Sequence, residues 1–292
     1  MDQGSGKLPI IACVREAWLF LRDHWRIFIP GAIVAALVSQ VGFALMGTSS
    51  SGDPGAGLTN VFGYMAAMLP ALLASVMFTA TVLRKSIRNV FLGPAGLGFG
   101  ADELRLLAIV AAFACMLIPL GTLVVVIVTA TVFSRLAESE GELAALMQDQ
   151  EAMSEALASA LGPAGSIAFS LLMLLVFVGA IYFFTRLFMV NAATLGEQRV
   201  VMFQTWSWSR GNILNMAAAV LLTWLPAYLI DSLVLEFGFA IIRPLATEAN
   251  AGILMVGFNA VVTFVALMVG IPSIVLGAIF YRGLRPADFV AK

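Results

Sequence analysis

Six long apolar runs joined by short polar connections organise this chain, at residues 27–46, 61–83, 106–133, 166–184, 213–230 and 253–281. A helix needs about 20 mostly apolar residues to cross the hydrocarbon of a bilayer, so each run is long enough to span one. The third and sixth exceed one bilayer thickness and should tilt, kink or project beyond it. Pro70, Pro119, Pro226 and Pro272 fall inside four of the runs. Proline removes a helical hydrogen bond, but neighbouring helices re-satisfy the backbone in membranes, so these read as packing kinks rather than gating hinges. The predicted fold class is all-α: a polytopic membrane protein with six transmembrane helices and flanking interfacial amphipathic helices.

Composition agrees. Of 292 residues, 61% are hydrophobic and only 11% charged, against roughly 45–50% and about 25% in soluble domains. Such an excess of apolar surface requires lipid as the solvent. Cys13 and Cys115 are too far apart in the chain to suggest a disulfide framework or metal spacing. The single histidine, His24, excludes a His-rich ligand cluster. No cofactor and no metal are expected.

Charge orients the spans. Lys7, Arg15, Arg22, Arg26, Arg84, Lys85, Arg88, Arg105, Arg186, Arg199, Arg210, Arg282, Arg285 and Lys292 fall on one side, leaving Arg135 and Arg243 on the other. Cytoplasmic loops retain positive charge, so both termini are expected in the cytoplasm of a bacterial inner membrane. The net charge of −1 then divides into +7 inside and −8 outside. A cleavable signal peptide fits the first run badly, because His24, Trp25 and Arg26 precede it and no small-x-small site follows.

The expected layout is a cytoplasmic interfacial helix at 1–26, a six-helix domain at 27–281 and a cytoplasmic tail at 282–292. The first outer loop, 47–60, contains TSSSGDPGAG and reads as a simple connection. The outer segment 134–163 is the sizeable polar stretch. Its Leu136, Leu143, Met147, Met153, Leu157 and Leu161 recur at roughly helical spacing, with Glu138, Glu140, Glu142, Asp149, Glu151 and Glu155 between them. One or two amphipathic helices fit this pattern. Their acidic face reads as simply solvated, with a docking surface for a basic partner or a weak divalent-cation site as the sharper alternatives. A calcium loop needs closely spaced oxygen ligands and a glycine turn, and that pattern does not occur here.

On the inner side, Ile11, Val14, Trp18, Leu21 and Trp25 form an apolar stripe beside Arg15, Arg22 and Arg26. An interfacial helix would place the tryptophans at headgroup depth and the arginines toward anionic lipid. Trp206 and Arg210 repeat the W-x-x-x-R spacing of Trp18 and Arg22 before the fifth span. On a helix, residues four apart share a face, so guanidinium and indole could stack. Both pieces read as anchors, and both lead into inside-to-outside spans, as in a parallel duplication.

Thr185-Arg186-Leu187, Gly196-Glu197, and Thr205-Trp206 through Arg210-Gly211-Asn212 resemble the membrane-domain family of the glycerophosphoryl diester phosphodiesterases. Phe99-Gly100-Ala101-Asp102-Glu103-Leu104-Arg105-Leu106-Leu107 resembles the start of a span in alphaproteobacterial-type members of that kind. The resemblance covers the six-span body and implies a membrane fold and an inner-membrane home. It does not carry over phosphodiester hydrolysis, which in those enzymes belongs to a separate soluble barrel.

Catalytic motifs are absent: no phosphate loop with a following Lys, no H-E-x-x-H and no G-x-S-x-G. Gly93–Glu103, GPAGLGFGADE, is glycine-rich but lacks the Lys-Ser/Thr and reads as a turn leading into a span. Asp231 and Glu236 lie at or beyond the outer end of the fifth run. An ionisable group at membrane depth is a functional candidate, although a helix ending at Ile230 would leave both at the interface. The expected function is therefore non-enzymatic: a scaffold or lipid-organising factor, with a transporter or lipid-translocating protein as the alternative. A headgroup enzyme using Asp102 and Glu103 is the weakest reading. Expected partners are membrane lipids, through anionic headgroups at the cytoplasmic face, and a membrane protein; nucleic acid is not among them.

Overall fold

The structure, a computed structural model, describes residues 7–49, 57–93, 95–136, 150–247 and 250–286. Every described element is an α-helix: α1 (Ile10–Ser49), α2 (Gly57–Arg88), α3 (Ala101–Leu136), α4 (Gln150–Leu187), α5 (Val190–Glu197), α6 (Gln204–Trp208), α7 (Ile213–Ile242) and α8 (Ala251–Leu284). Six stretches are long and apolar enough to cross a membrane. The chain is thus an all-helical, multi-pass membrane protein by length and composition.

Several helices outrun the apolar runs that predict them. α1 passes without interruption through residue 26, so the predicted interfacial helix and first span are one 40-residue helix. α7 continues to Ile242 instead of stopping at Ile230. Polar residues do not end a helix when its backbone is already satisfied internally, so hydropathy marks the lipid-soluble middle of a helix better than its ends. Within α4, Gly162 has φ 63° and is non-helical, and Pro163 follows it. Proline suits a first helical position because its missing N–H would be unbonded there anyway. The predicted 134–163 boundary therefore coincides with a real break.

The chain divides into two compact units, residues 1–109 with 185–292, and residues 110–184. In the first, α1 packs mainly on α8 and α2, α7 on α8 and α1, and α5 on α8 and α2. The buried face of α1 carries Cys13, Ala17, Gly31, Ala32, Ala35, Ala36 and Ser39. Small side chains let helix backbones approach closely, which matters where lipid competes for every apolar contact. Gly31 shows how closely: a Cβ there would collide with the Ala95 carbonyl oxygen in the α2–α3 connection. Phe28 packs edge-on against Phe78 and Phe91, at 6.3 and 6.1 Å between centroids, closing that corner.

The second unit holds most of α3 and α4. Among its described side chains none is fully buried, and Ile167, Leu171, Leu175 and Phe177 are each at least 60% exposed. The Thr122 hydroxyl donates to the Ile118 carbonyl at 2.8 Å, keeping that polar group inside its own helix.

Candidate functional site

Most charges of the first unit gather at one end of the bundle, where α1 begins and α2 and α8 finish; Asp231, Glu236 and Arg243 lie apart from them, in the second half of α7 and just after it. We call that end of the bundle the basic end. α2 closes there with Lys85 and Arg88 in its last turn, which suits the negative end of the helix dipole. Asn89 then adopts the left-handed conformation, φ 55°. Asn tolerates that region better than most residues because its short side chain can bond locally, and Lys85 Nζ donates to its Oδ1 at 2.6 Å.

The connection returns to start α3. Gly96, at φ 70°, turns the chain against Thr81 and Phe91. Its carbonyl accepts from Thr81 Oγ1 at 2.7 Å and from Arg84 Nη2 at 3.4 Å. At the helix start, the Gly100 N–H donates to Glu103 Oε2 at 2.9 Å. A glutamate three residues into a helix commonly reaches back in this way. Asp102 and Glu103 both lie in the first turn, where the dipole favours anions.

Glu103 also receives Arg84 Nη1 in an ion pair whose side chains are 1% and 5% exposed. Next to it, Asp102 takes Arg88 at 3.2 Å and Arg105 at 2.9 Å, one on each oxygen. Arg88 donates further to the Leu195 carbonyl in α5, tying α2, α3 and α5 together. Arg84, Arg88, Arg105, Asp102 and Glu103, with Leu92, Phe99 and Gly98 to Ala101, line a cleft of about 340 Å³.

Two further contacts complete this end. Glu197, where α5 stops, accepts from Tyr281 Oη at 2.6 Å and pairs with Arg285 at 2.6 Å. Gly196 makes room for this, since a Cβ there would run into the Tyr281 ring. Arg186, ending α4, donates to the Trp206 carbonyl at 2.5 Å and to Ser209 Oγ at 3.1 Å. Its guanidinium also lies over the Trp206 ring, 5.2 Å from the centroid. The Leu8 N–H donates to Asn212 Oδ1 at 2.9 Å, fastening the segment before α1 to the start of α7.

No protein-family model, curated protein or solved structure matches the chain. Guanidiniums facing a helix N-terminus can hold an anion; among the described residues no group of three His, Cys, Asp or Glu side chains could hold a metal ion.

The anchors expected from the sequence are arranged differently from their spacing. α6 is a five-residue helix that ends at Trp208, so Trp206 and Arg210 do not share a helical face, and Arg186 is the cation over Trp206. On α1, Arg22 pairs with Asp23 at 3.0 Å and Arg26 lies over Trp25 at 5.5 Å. Trp18 is half-buried, while Arg22, Trp25 and Arg210 are exposed. Asp231 and Glu236 fall inside α7, not beyond its end. Asp231 is half-buried, and its Oδ1 has no hydrogen-bond partner among the described residues; Glu236 is exposed. Glu138, Glu140, Glu142 and Asp149 lie outside the described residues, and so do the side chains of Glu151 and Glu155.

Sequence reasoning missed Arg84, Arg88, Tyr281 and Arg285 as members of a site. One signal was present: Arg84 and Arg88 end one span as Asp102, Glu103 and Arg105 open the next, an arrangement that brings opposite charges together across a short turn.

Proposed function

We propose that this is a non-enzymatic integral protein of a bacterial inner membrane, acting as a scaffold or lipid-organising factor through its cytoplasmic face. The supporting observation is the use of the charged groups at the basic end. Arg84, Arg88, Arg186 and Glu197 are each bound to another part of the chain, which builds a braced platform. The residues that resemble the phosphodiesterase membrane domain, Arg186, Glu197, Trp206, Asp102 and Glu103, belong to this brace, and on this reading the shared feature is structural. The charge asymmetry of the loops supports a cytoplasmic basic end and an outer acidic segment at 134–163, where a basic membrane-protein partner would dock.

Extraction into native nanodiscs followed by mass spectrometry tests the proposal. A stoichiometric protein partner or a selectively retained lipid is the expected result. Bulk lipid composition with no partner overturns it.

Asp231 favours a second reading, a carboxylate-coupled transporter, because an ionisable group inside a membrane helix is costly without a role. Proteoliposomes carrying a pH-sensitive dye separate the two. Flux that is lost in Asp231→Asn supports transport; absence of flux in the unaltered protein rejects it.

A further inference from the structure

The lining of the 340 Å³ cleft at the basic end combines two chemistries. Its charged part is Arg84, Arg88 and Arg105, three guanidiniums against the two carboxylates of Asp102 and Glu103. One carboxylate, Asp102, serves both Arg88 and Arg105, so the cluster keeps a unit of positive charge. The α3 N-terminus opens into the same cleft through Gly100 and Ala101, adding the partial positive charge of the helix dipole. Arg84 lies deepest, 5% exposed, with its guanidinium bonded to Glu103, Thr81 and the Gly96 carbonyl. Arg88 and Arg105 are the guanidiniums within reach of a ligand, with side chains 26% and 28% exposed.

Its apolar part is Leu92 and Phe99, which are 44% and 60% exposed. Free phosphate would answer the arginines and leave these side chains unexplained. A ligand with an anionic head and an apolar body answers both.

We propose that this cleft is a binding site for the phosphate of an anionic phospholipid headgroup. Arg84, Arg88, Arg105 and the α3 N-terminus form its cationic part, and Leu92 and Phe99 guide the start of the acyl chains. The proposal rests on the lipid-organising form of the function given above.

The test uses the full chain in nanodiscs of phosphatidylcholine doped with phosphatidylglycerol, with lipid retention read by native mass spectrometry. Inorganic phosphate is titrated separately in detergent. Arg105 is the informative position, because replacing it leaves the Arg84–Glu103 and Arg88–Asp102 pairs intact. The unaltered protein should enrich phosphatidylglycerol over phosphatidylcholine. Arg105→Gln should lose roughly tenfold in affinity, the value of one charge-assisted hydrogen bond, and Arg105→Lys should keep most of it. Asp102→Asn should bind more tightly, because it removes a competing carboxylate.

A purely structural brace predicts that Asp102→Asn weakens retention together with Arg105→Gln, and that result overturns the site. Enrichment that survives Arg105→Gln unchanged also overturns the site but keeps the lipid-organising reading. Absence of any phosphatidylglycerol preference in the unaltered protein removes the headgroup proposal and leaves the scaffold standing. Inorganic phosphate binding as tightly as the lipid reassigns the cleft to a soluble anion and refutes the phospholipid.

Discussion

α8 carries two different environments on one helix. From Ile271 to Tyr281 every residue except Ser273 and Ile274 is fully buried; from Ala251 to Val261 Phe258 alone is. α7 repeats the contrast, with Met216, Ala219, Thr223 and Ala227 buried and no fully buried residue from 228 to 242. Hydropathy does not separate the two ends, since both are rich in aliphatic residues. The difference lies in what holds neighbours in place. Lipid tails are as apolar as leucine, so burying leucine between membrane helices gains little, and close backbone approach and hydrogen bonds decide where helices pack. The basic end has both, in Gly31, Gly96 and Gly196 and in the Arg84, Glu197 and Arg186 contacts.

Substitutions at the two ends should therefore differ most where polar pairing is removed. Glu103→Ala strands Arg84 inside the protein and should cost about 3–5 kcal/mol, measured by unfolding in mixed micelles of rising denaturing detergent. Pairing it with Arg84→Met should recover most of that loss, because an apolar pair of similar volume is often neutral. A double variant as unstable as the single one would show that the site cannot accept apolar packing.

Packing comes next. Ile271→Ala, at a fully buried position, should cost about 2 kcal/mol, chiefly through the cavity it leaves, since the transfer term is small where lipid is the alternative. Ile253→Ala, at the other end of the same helix and 79% exposed, should stay within about 0.5 kcal/mol. Equal losses would erase the comparison. Gly196→Val forces a side chain into the Tyr281 ring and should cost about 1–3 kcal/mol by overpacking. Smallest is Tyr281→Phe, which removes one hydrogen bond to Glu197 while Arg285 still pairs with that carboxylate. About 1 kcal/mol is expected, read in the same unfolding series.

Much of the fold was legible locally. A spanning helix bonds its own backbone, so a long apolar run announces it without reference to the rest of the chain. The polar segment 134–163 ended where α4 breaks at Gly162, and the turn through Glu103 led into α3, for equally local reasons. The interfacial anchors were less legible, because W-x-x-x-R implies a shared face only if the segment is helical, and α6 stops at Trp208. The fifth span was drawn short for a related reason: Asp231 and Glu236 interrupt the apolar run after Ile230, but the helix continues to Ile242.

By itself, the amino-acid sequence determined that this is a helical membrane protein with six spanning stretches and a strongly one-sided distribution of basic residues. Only the tertiary structure decided that Arg186 covers Trp206, that Glu197 joins Tyr281 to Arg285, and that Arg84 and Arg88 face Asp102 and Glu103 across one cleft. Secondary structure in lipid follows from each segment's own hydrogen bonds and transfer energy. The partners of a charged side chain depend on which helices dock and at what register, and residues far apart in the chain set both.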